Sequence, residues 1–193
     1  MRYKEYNTNK VLEQVLQLFW KKGFKGCSIK DLVEATGVNR FSFYEEFEDK
    51  NGMLYHSLHL YRERYADAHL KLLKQKGELK TVLGDFFLSY FDSERFHPGC
   101  YIIHIGTELA DTDPKINTIV SDYMDELSAS FSSLLVANAF NNEEADFLAK
   151  HLTALYCTSM SFCLIHSETE RRHHIENGIA VLLNQHNHAT SIT

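Results

Sequence analysis

The sequence predicts an all-α protein of about nine helices, with an N-terminal three-helix helix-turn-helix domain and a larger helical C-terminal domain. Three observations predict it. The 193 residues hold only 9 Gly and 2 Pro, too few breakers for the many turns of a strand-rich fold. Apolar side chains recur at 3.6-residue spacing in one segment after another, and no run alternates with period two. Capping residues stand where these segments begin. Apolar residues make up 44% and charged residues 24%, the balance of a folded domain, which excludes bulk disorder.

In the first helix Val11, Leu12, Val15, Leu18 and Phe19 share a face; Asn7 or Thr8 caps it and Gly23 stops it. Ser28-Ile29-Lys30-Asp31 reads as an N-cap with an acid at N3, opening a two-turn helix through Leu32, Val33 and Ala35. Gly37 then supplies a turn of positive φ. Asn39 caps a third helix whose Phe43 and Phe47 lie four apart. A long segment runs from Lys50 to about Gln75, carrying Met53, Leu54, Leu58, Tyr61, Tyr65 and Leu72, and Gly77 closes it. Further helices cover about 79–92, about 99–110, and a long stretch opened by Asp113-Pro114, a cap followed by Pro at the first helical position. Another runs from near Asn142 to about His166, and the last covers about 169–185. The domains expected are 1–52 and 53–193, with the helix-turn-helix at 28–47.

The net charge of −6 is unevenly spread. Residues 1–60 hold nine Lys and Arg against eight Asp and Glu, whereas the remainder holds eleven against eighteen. A near-neutral head on an acidic body suits a small DNA-binding module carried by a different domain. No apolar run is long enough to span a membrane, and the first residues lack a signal-peptide core, so a cytoplasmic protein without a membrane partner is expected. The four cysteines form no CxxC pair. The eleven histidines, with short groupings at His56/His59, His173/His174 and His186/His188, lack a third and fourth ligand at metal spacing. No metal and no cofactor are therefore expected. GxSxG, HExxH and phosphate-binding glycine loops are absent, so the chain is not expected to be an enzyme.

Residues 28–47, SIKDLVEATGVNRFSFYEEF, make helix, glycine turn, helix. This spacing leaves Asn39, Arg40, Phe41, Ser42 and Tyr44 on the side away from Phe43 and Phe47, a face able to read base edges or hold phosphates. With LFWKKGF in the first helix and Asp49-Lys50 ahead of the fourth, residues 7–55 resemble the DNA-binding domain of TetR/AcrR-type transcriptional regulators. The resemblance implies a homodimer on a palindromic double-stranded operator DNA, acting as a repressor released by a small-molecule effector in the C-terminal domain. Carried onto this sequence, it places Asn39, Arg40, Phe41 and Ser42 near bases, Tyr44 and Lys50 on phosphates, and Ser28 and Lys30 at the backbone-facing start of the bracing helix. Three departures stand out. Phe41 is bulky where a small residue is frequent, Glu45 and Glu46 bring carboxylates near the DNA, and Glu48 stands where Gly or Pro is common.

For the effector, Phe87, Tyr90, Phe91, Tyr101, Ile105 and Tyr123 are candidate pocket residues, with ordinary core as the competing reading. Cys100 is expected in the first turn of its helix, near His97 and His104, where it would favour the thiolate; a redox or electrophile sensor is therefore an alternative to a buried, inert thiol. The last two long helices carry Leu152, Leu155, Ser159, Phe162, Ile179 and Leu182 and form the expected dimer face. A helical protein that does not bind DNA, or an enzyme, is the alternative of a different class.

Overall fold

A computed structural model describes residues 6–91, 99–161, 163 and 165–189, with the side chains of 185–189 left out. Among the described residues every regular element is helical. The order is α1 (Thr8–Lys22), α2 (Ile29–Thr36), α3 (Arg40–Phe47), α4 (Lys50–Tyr61), α5 (Asp67–Leu72), α6 (Leu79–Leu88), α7 (Tyr101–Leu109), α8 (Pro114–Ala137), α9 (Asn142–Ser161) and α10 (Glu168–Ala189). A π-helical turn, Arg62–Ala66, joins α4 to α5 without a break, so the ten stretches make nine rods.

Side-chain caps fix most helix starts. Asn7 Oδ1 accepts from Lys10 N, Asn39 Oδ1 from Ser42 N, and Asp49 Oδ1 from Gly52 N. Asp113 Oδ1 accepts from both Lys115 N and Ile116 N ahead of the Pro-initiated α8. Each bond pairs an amide that the helix itself leaves without an acceptor.

Five ends differ from the sequence expectation, one of them that of α10, which runs on to Ala189 instead of about 185. The rod from Lys50 stops at Leu72, where Leu73, Lys74 and Gln75 turn through short i→i+3 bonds. Helix α6 stops at Leu88, and α9 at Ser161 instead of near His166. Helix α7 starts at Tyr101, so Cys100 is its N-cap and precedes the first turn. His97 and Phe162 lie outside the described residues.

One core runs the length of the molecule. Val11, Leu12, Val15, Leu16, Phe19 and Trp20 of α1 are buried, and α1 packs chiefly on α4. Trp20 meets Tyr61 of α4 edge-on at 5.3 Å and Tyr101 of α7 at 5.6 Å, so three helices from both halves share one aromatic junction. The expected boundary at residue 52 falls inside the first turn of α4. Helices α8 and α9 pair along their lengths, α10 lies against α9 and α6, and α7 is wedged between α4, α8 and α9.

The turn between α3 and α4 contains Glu48 at φ 67, ψ −56, with Asp49 N donating to Phe47 O at 2.7 Å. This is a γ-turn of positive φ, a strained backbone for a residue with a Cβ. Glu48→Gly is expected to raise stability by about 1 kcal/mol, read from the denaturation midpoint at unchanged m. An unchanged or lowered midpoint would mean that the turn is not strained.

Candidate nucleic-acid interface and its link to the core

Helix α2 is built as a brace. Ser28 and Asp31 form a reciprocal capping box: Asp31 N donates to Ser28 Oγ at 3.1 Å, while Ser28 N and Oγ donate to Asp31 Oδ2 at 2.7 and 2.6 Å. Lys22 Nζ donates to the other carboxylate oxygen at 2.6 Å and ties α1 to the start of α2. The Lys22 ammonium, with the Ser28 donors, holds the Asp31 carboxyl far below the usual carboxylate range. Gly37 ends α2 at φ 71, ψ 2, and Val38 N donates to Thr36 Oγ1. The chain thereby turns within three residues into the Asn39 cap of α3.

Helix α3 then has two unlike faces. Phe43 and Phe47 are buried against the domain, whereas Phe41 is 70% exposed. A free phenyl of that size is costly in water and stands out on a surface. Arg40 and Tyr44 are also exposed, and they are already paired: Arg40 Nη2 donates to Tyr44 Oη at 3.2 Å, and the guanidinium lies 5.4 Å from the ring centroid. Ser42 is half-buried and Asn39 exposed, with the Asn39 carbonyl oxygen engaged in the cap. Ser28 and Lys30 lie exposed at the start of α2; Lys30 sits 3.7 Å from Glu34. Glu45 is exposed one turn after Phe41, so a carboxylate borders the same face.

Lys50 is placed differently from the sequence expectation. Its Nζ donates to Phe24 O at 2.6 Å and sits 4.0 Å from the Phe24 ring centroid. The half-buried ammonium thus braces the α1–α2 connection from below, and a phosphate would have to compete with a carbonyl and an aromatic face.

The connection is gripped from the other side by a residue that sequence reading missed. Glu108, in the last turn of α7, accepts from Phe24 N at 2.7 Å and from Lys25 N at 2.6 Å, one amide on each carboxylate oxygen. Lys25 Nζ also donates to Glu108 O at 3.1 Å. Gly23, at φ 74, brings both amides to face the carboxylate; a Cβ there would stand 3.1 Å from Glu108 Oε2. No local pattern marks Glu108, since its partners lie 83 and 84 residues away.

The other end of α7 enters a closed aromatic and hydroxyl core. Tyr90 and Tyr123 hydroxyls lie 2.9 Å apart, and Tyr123 and Tyr156 hydroxyls 3.2 Å apart. Phe86 meets Tyr90 edge to face, Phe86 and Phe87 both pack on Tyr156, Phe131 stacks on Phe87, and Arg62 spans the Tyr123 ring, held by Asp67 and Glu126. Tyr90, Tyr123, Phe87 and Ile105 are all buried here, while Phe91 lies half-buried beneath the Arg171 guanidinium. Tyr101 belongs elsewhere: its hydroxyl lies 2.9 Å from Ser57 Oγ, and its ring packs on Trp20 and Tyr61 at the junction with α1. Cys100 is buried, and that burial pushes its thiol up, against the hydrogen bonds from Tyr156, Ile103 and Tyr61. The thiolate expected from a first-turn position is therefore disfavoured: the residue is outside the first turn and out of water. Among the described residues, no three His, Cys, Asp or Glu side chains gather as a metal site, and no helix is long and apolar enough to cross a membrane.

Comparison with known proteins fits this geometry. Residues 11–56 match the family model "Bacterial regulatory proteins, tetR family". The chain is 32% identical over 125 residues to the HTH-type transcriptional repressor ComR of Escherichia coli K12, a match covering 62% of this chain and 60% of ComR. It is 26% identical over 192 residues to the uncharacterized HTH-type transcriptional regulator YezE of Bacillus subtilis 168, covering 94% and 98%. The fold superposes on a cysteine mutant of the TetR family regulator CifR in complex with 26-bp operator DNA (TM-score 0.82, 15% identity, 93% and 98% covered). It also superposes on the TetR-family regulator SCO4454 of Streptomyces coelicolor (TM-score 0.80, 14% identity, 91% and 93% covered).

The fold and the helix-turn-helix thus resemble those of transcriptional regulators. Residues 11–56 match the N-terminal part of the tetR family of bacterial regulatory proteins, and the fold of the chain is that of solved TetR-family regulators.

Two outcomes follow from this geometry. Glu108→Ala removes the acceptor of two amides and is expected to cost about 1–3 kcal/mol, with faster amide hydrogen exchange at Phe24 and Lys25. Unchanged exchange there would show that the grip is not formed in solution. His69, half-buried and stacked on Tyr90, has its pKa lowered to about 4 by desolvation. Its neutral form stabilises the fold above the unfolded value of about 6.5, and that contribution is lost as pH falls from there toward 4. Stability at pH 5.5 should be about 1 kcal/mol below that at pH 7.5, and His69→Gln should flatten this slope.

Proposed function

We propose that this protein is a DNA-binding transcriptional repressor of the cytoplasm that holds a palindromic operator as a homodimer and lets it go when a small molecule enters the C-terminal core. The exposed face of α3 carries this reading: Arg40, Phe41 and Tyr44 project outward while Phe43 and Phe47 anchor the same two turns from behind. A protein has little reason to hold a free phenyl beside a pre-paired guanidinium on a short helix unless another surface covers them. In the major groove, Arg40 would read a guanine edge and Phe41 a thymine methyl. Asn39 and Ser42 flank them, Tyr44 reaches phosphate, and Ser28 and Lys30 offer the start of α2 to the backbone. Lys50 acts as a brace for the Phe24 turn and contributes only long-range attraction. Because the family is one of regulators, no catalytic role is assigned.

The effector site we place among Tyr90, Tyr123 and Phe87, with Ile105 and Phe91 at its margin. A ligand that spreads this packed core pushes on the start of α7, and Glu108 passes the movement to the α1–α2 connection. Cys100 is assigned a structural role in that core. The two subunits meet through α9 and α10, the pair the family resemblance assigns to a four-helix contact across the two-fold axis.

Selection from random duplexes followed by gel shift tests the reading. A two-half-site sequence bound at nanomolar concentration is expected. Arg40→Ala should weaken it by about 10- to 100-fold and relax preference at one base pair, and Phe41→Ala should relax preference at a neighbouring thymine. Lys50→Ala should lower stability and leave the salt dependence of binding nearly unchanged. Recovery of no preferred sequence would overturn the assignment.

A further inference from the structure

The start of α10 lies against the end of α6, and a cavity of about 420 Å³ opens between them. Leu88, Ser89 and Phe91 line one side of it, and Glu168, Arg171 and Arg172 the other. Its volume is that of a site for a small organic molecule.

Arg171 is held there from more than one side. Nη1 donates to Cys163 O at 2.9 Å and to His166 O at 2.7 Å, and the guanidinium lies 5.0 Å from the centroid of the Phe91 ring. Those contacts occupy one corner of the fork. Nε is shielded from water and has no acceptor, and Nη2 donates to nothing else among the described residues. Nε and Nη2 together form an edge that meets a carboxylate with two parallel hydrogen bonds. Native folds seldom leave a shielded donor unpaired. Two other shielded side-chain atoms lack a partner among the described residues, Gln17 Nε2 and Ser159 Oγ, and both belong to neutral groups. The one in Arg171 belongs to a cation in the wall of a cavity.

The rest of the lining points to the same kind of ligand. Arg172 is exposed, and among the described residues the side chains of Arg172 and Glu168 have no hydrogen-bond or ion-pair partner. Two guanidiniums against one carboxylate leave the cavity with a net positive charge, and the N-terminal end of the α10 dipole adds to it. Leu88 and the Phe91 ring supply an apolar wall. A cation is repelled here, and a neutral apolar molecule leaves Nε unpaired. A compact multivalent anion makes no use of the apolar wall and meets Glu168. A monoanion with an apolar body satisfies every part of the lining. We propose that this cavity binds a small apolar carboxylic acid as its carboxylate, with Arg171 and Arg172 holding the acid group and Leu88 and Phe91 covering the body.

Ser89 connects the cavity to the aromatic core. Its Oγ donates to Phe86 O at 2.7 Å and lies 2.7 Å from His69 Nδ1. The His69 ring stacks on Tyr90 at 4.0 Å, and Tyr90 begins the run of hydroxyls to Tyr123 and Tyr156. A bound acid thus sits beside the residues that the effector reading above assigns to its ligand. The acid site goes beyond that reading and concerns binding alone, so it stands or falls apart from operator release.

Calorimetric titration of the full chain with benzoate, benzamide and inorganic phosphate tests it. Benzoate is expected to bind saturably, one per chain, with a Kd of about 1 mM or below. Benzamide keeps the shape without the charge and should bind at least about 10-fold more weakly. Phosphate keeps the charge without the apolar body and should also be at least about 10-fold weaker. No benzoate binding up to about 10 mM, or equal binding of benzamide, overturns the proposal. Phosphate bound as tightly as benzoate overturns the apolar acid as the ligand class. Arg171→Gln also removes the donor to two carbonyls, so the place of binding is read from two side chains that hold nothing else in the fold. Arg172→Gln should weaken benzoate at least about 10-fold, and Glu168→Gln should tighten it about 2- to 5-fold, both with far-UV circular dichroism unchanged. Wild-type affinity in both variants would place the binding elsewhere and overturn the assignment to this cavity.

Discussion

The two oxygens of Glu108 hold the two halves of this molecule in register. Phe24 N and Lys25 N point at the end of α7 because Gly23 turns the backbone to present them, and Lys50 holds the Phe24 carbonyl from the opposite side. Behind this contact, Trp20, Tyr61 and Tyr101 close the aromatic junction shared by α1, α4 and α7. The orientation of α2 and α3 is therefore set by a helix that begins deep in the C-terminal core. Charge-assisted bonds to backbone amides are short and directional, so a small displacement of α7 is not absorbed by slack.

The core at the other end of α7 suits that role. Its hydroxyls satisfy one another from Tyr90 through Tyr123 to Tyr156, and the rings around them pack edge to face. A buried polar chain of this kind is stable only when complete, and a ligand that replaces one of its bonds supplies the free energy to rearrange the rest. The π-helical turn at Arg62–Ala66 sits in the wall of this core and lets Arg62 lie across Tyr123. Such turns interrupt an otherwise regular rod and often mark places where a helix adapts.

Much of this was legible in the sequence, for a physical reason. Caps and turns are local: Asn7, Ser28-Asp31, Asn39 and Asp113-Pro114 announce the helix starts because the bonds they make lie within three residues. The outward face of α3 was legible too, since Phe43 and Phe47 fix which side is buried. Three things were not. The grip of Glu108 and the bracing by Lys50 join residues 83 and 26 apart, and nothing local distinguishes such a carboxylate or ammonium from a solvated one. The π turn leaves the apolar period almost intact. Cys100 was expected one position too far into its helix, and a shift of one residue from first turn to N-cap, together with burial, removes the reason for a thiolate.

If residues 28–47 read DNA in a frame set by the rest of the chain, hydroxyl-radical footprinting on a selected duplex will record it. Two protected patches are expected on one face of the DNA, related by a two-fold axis and centred about one helical turn apart or slightly more. Uniform protection that vanishes with moderate salt and does not depend on sequence would contradict it.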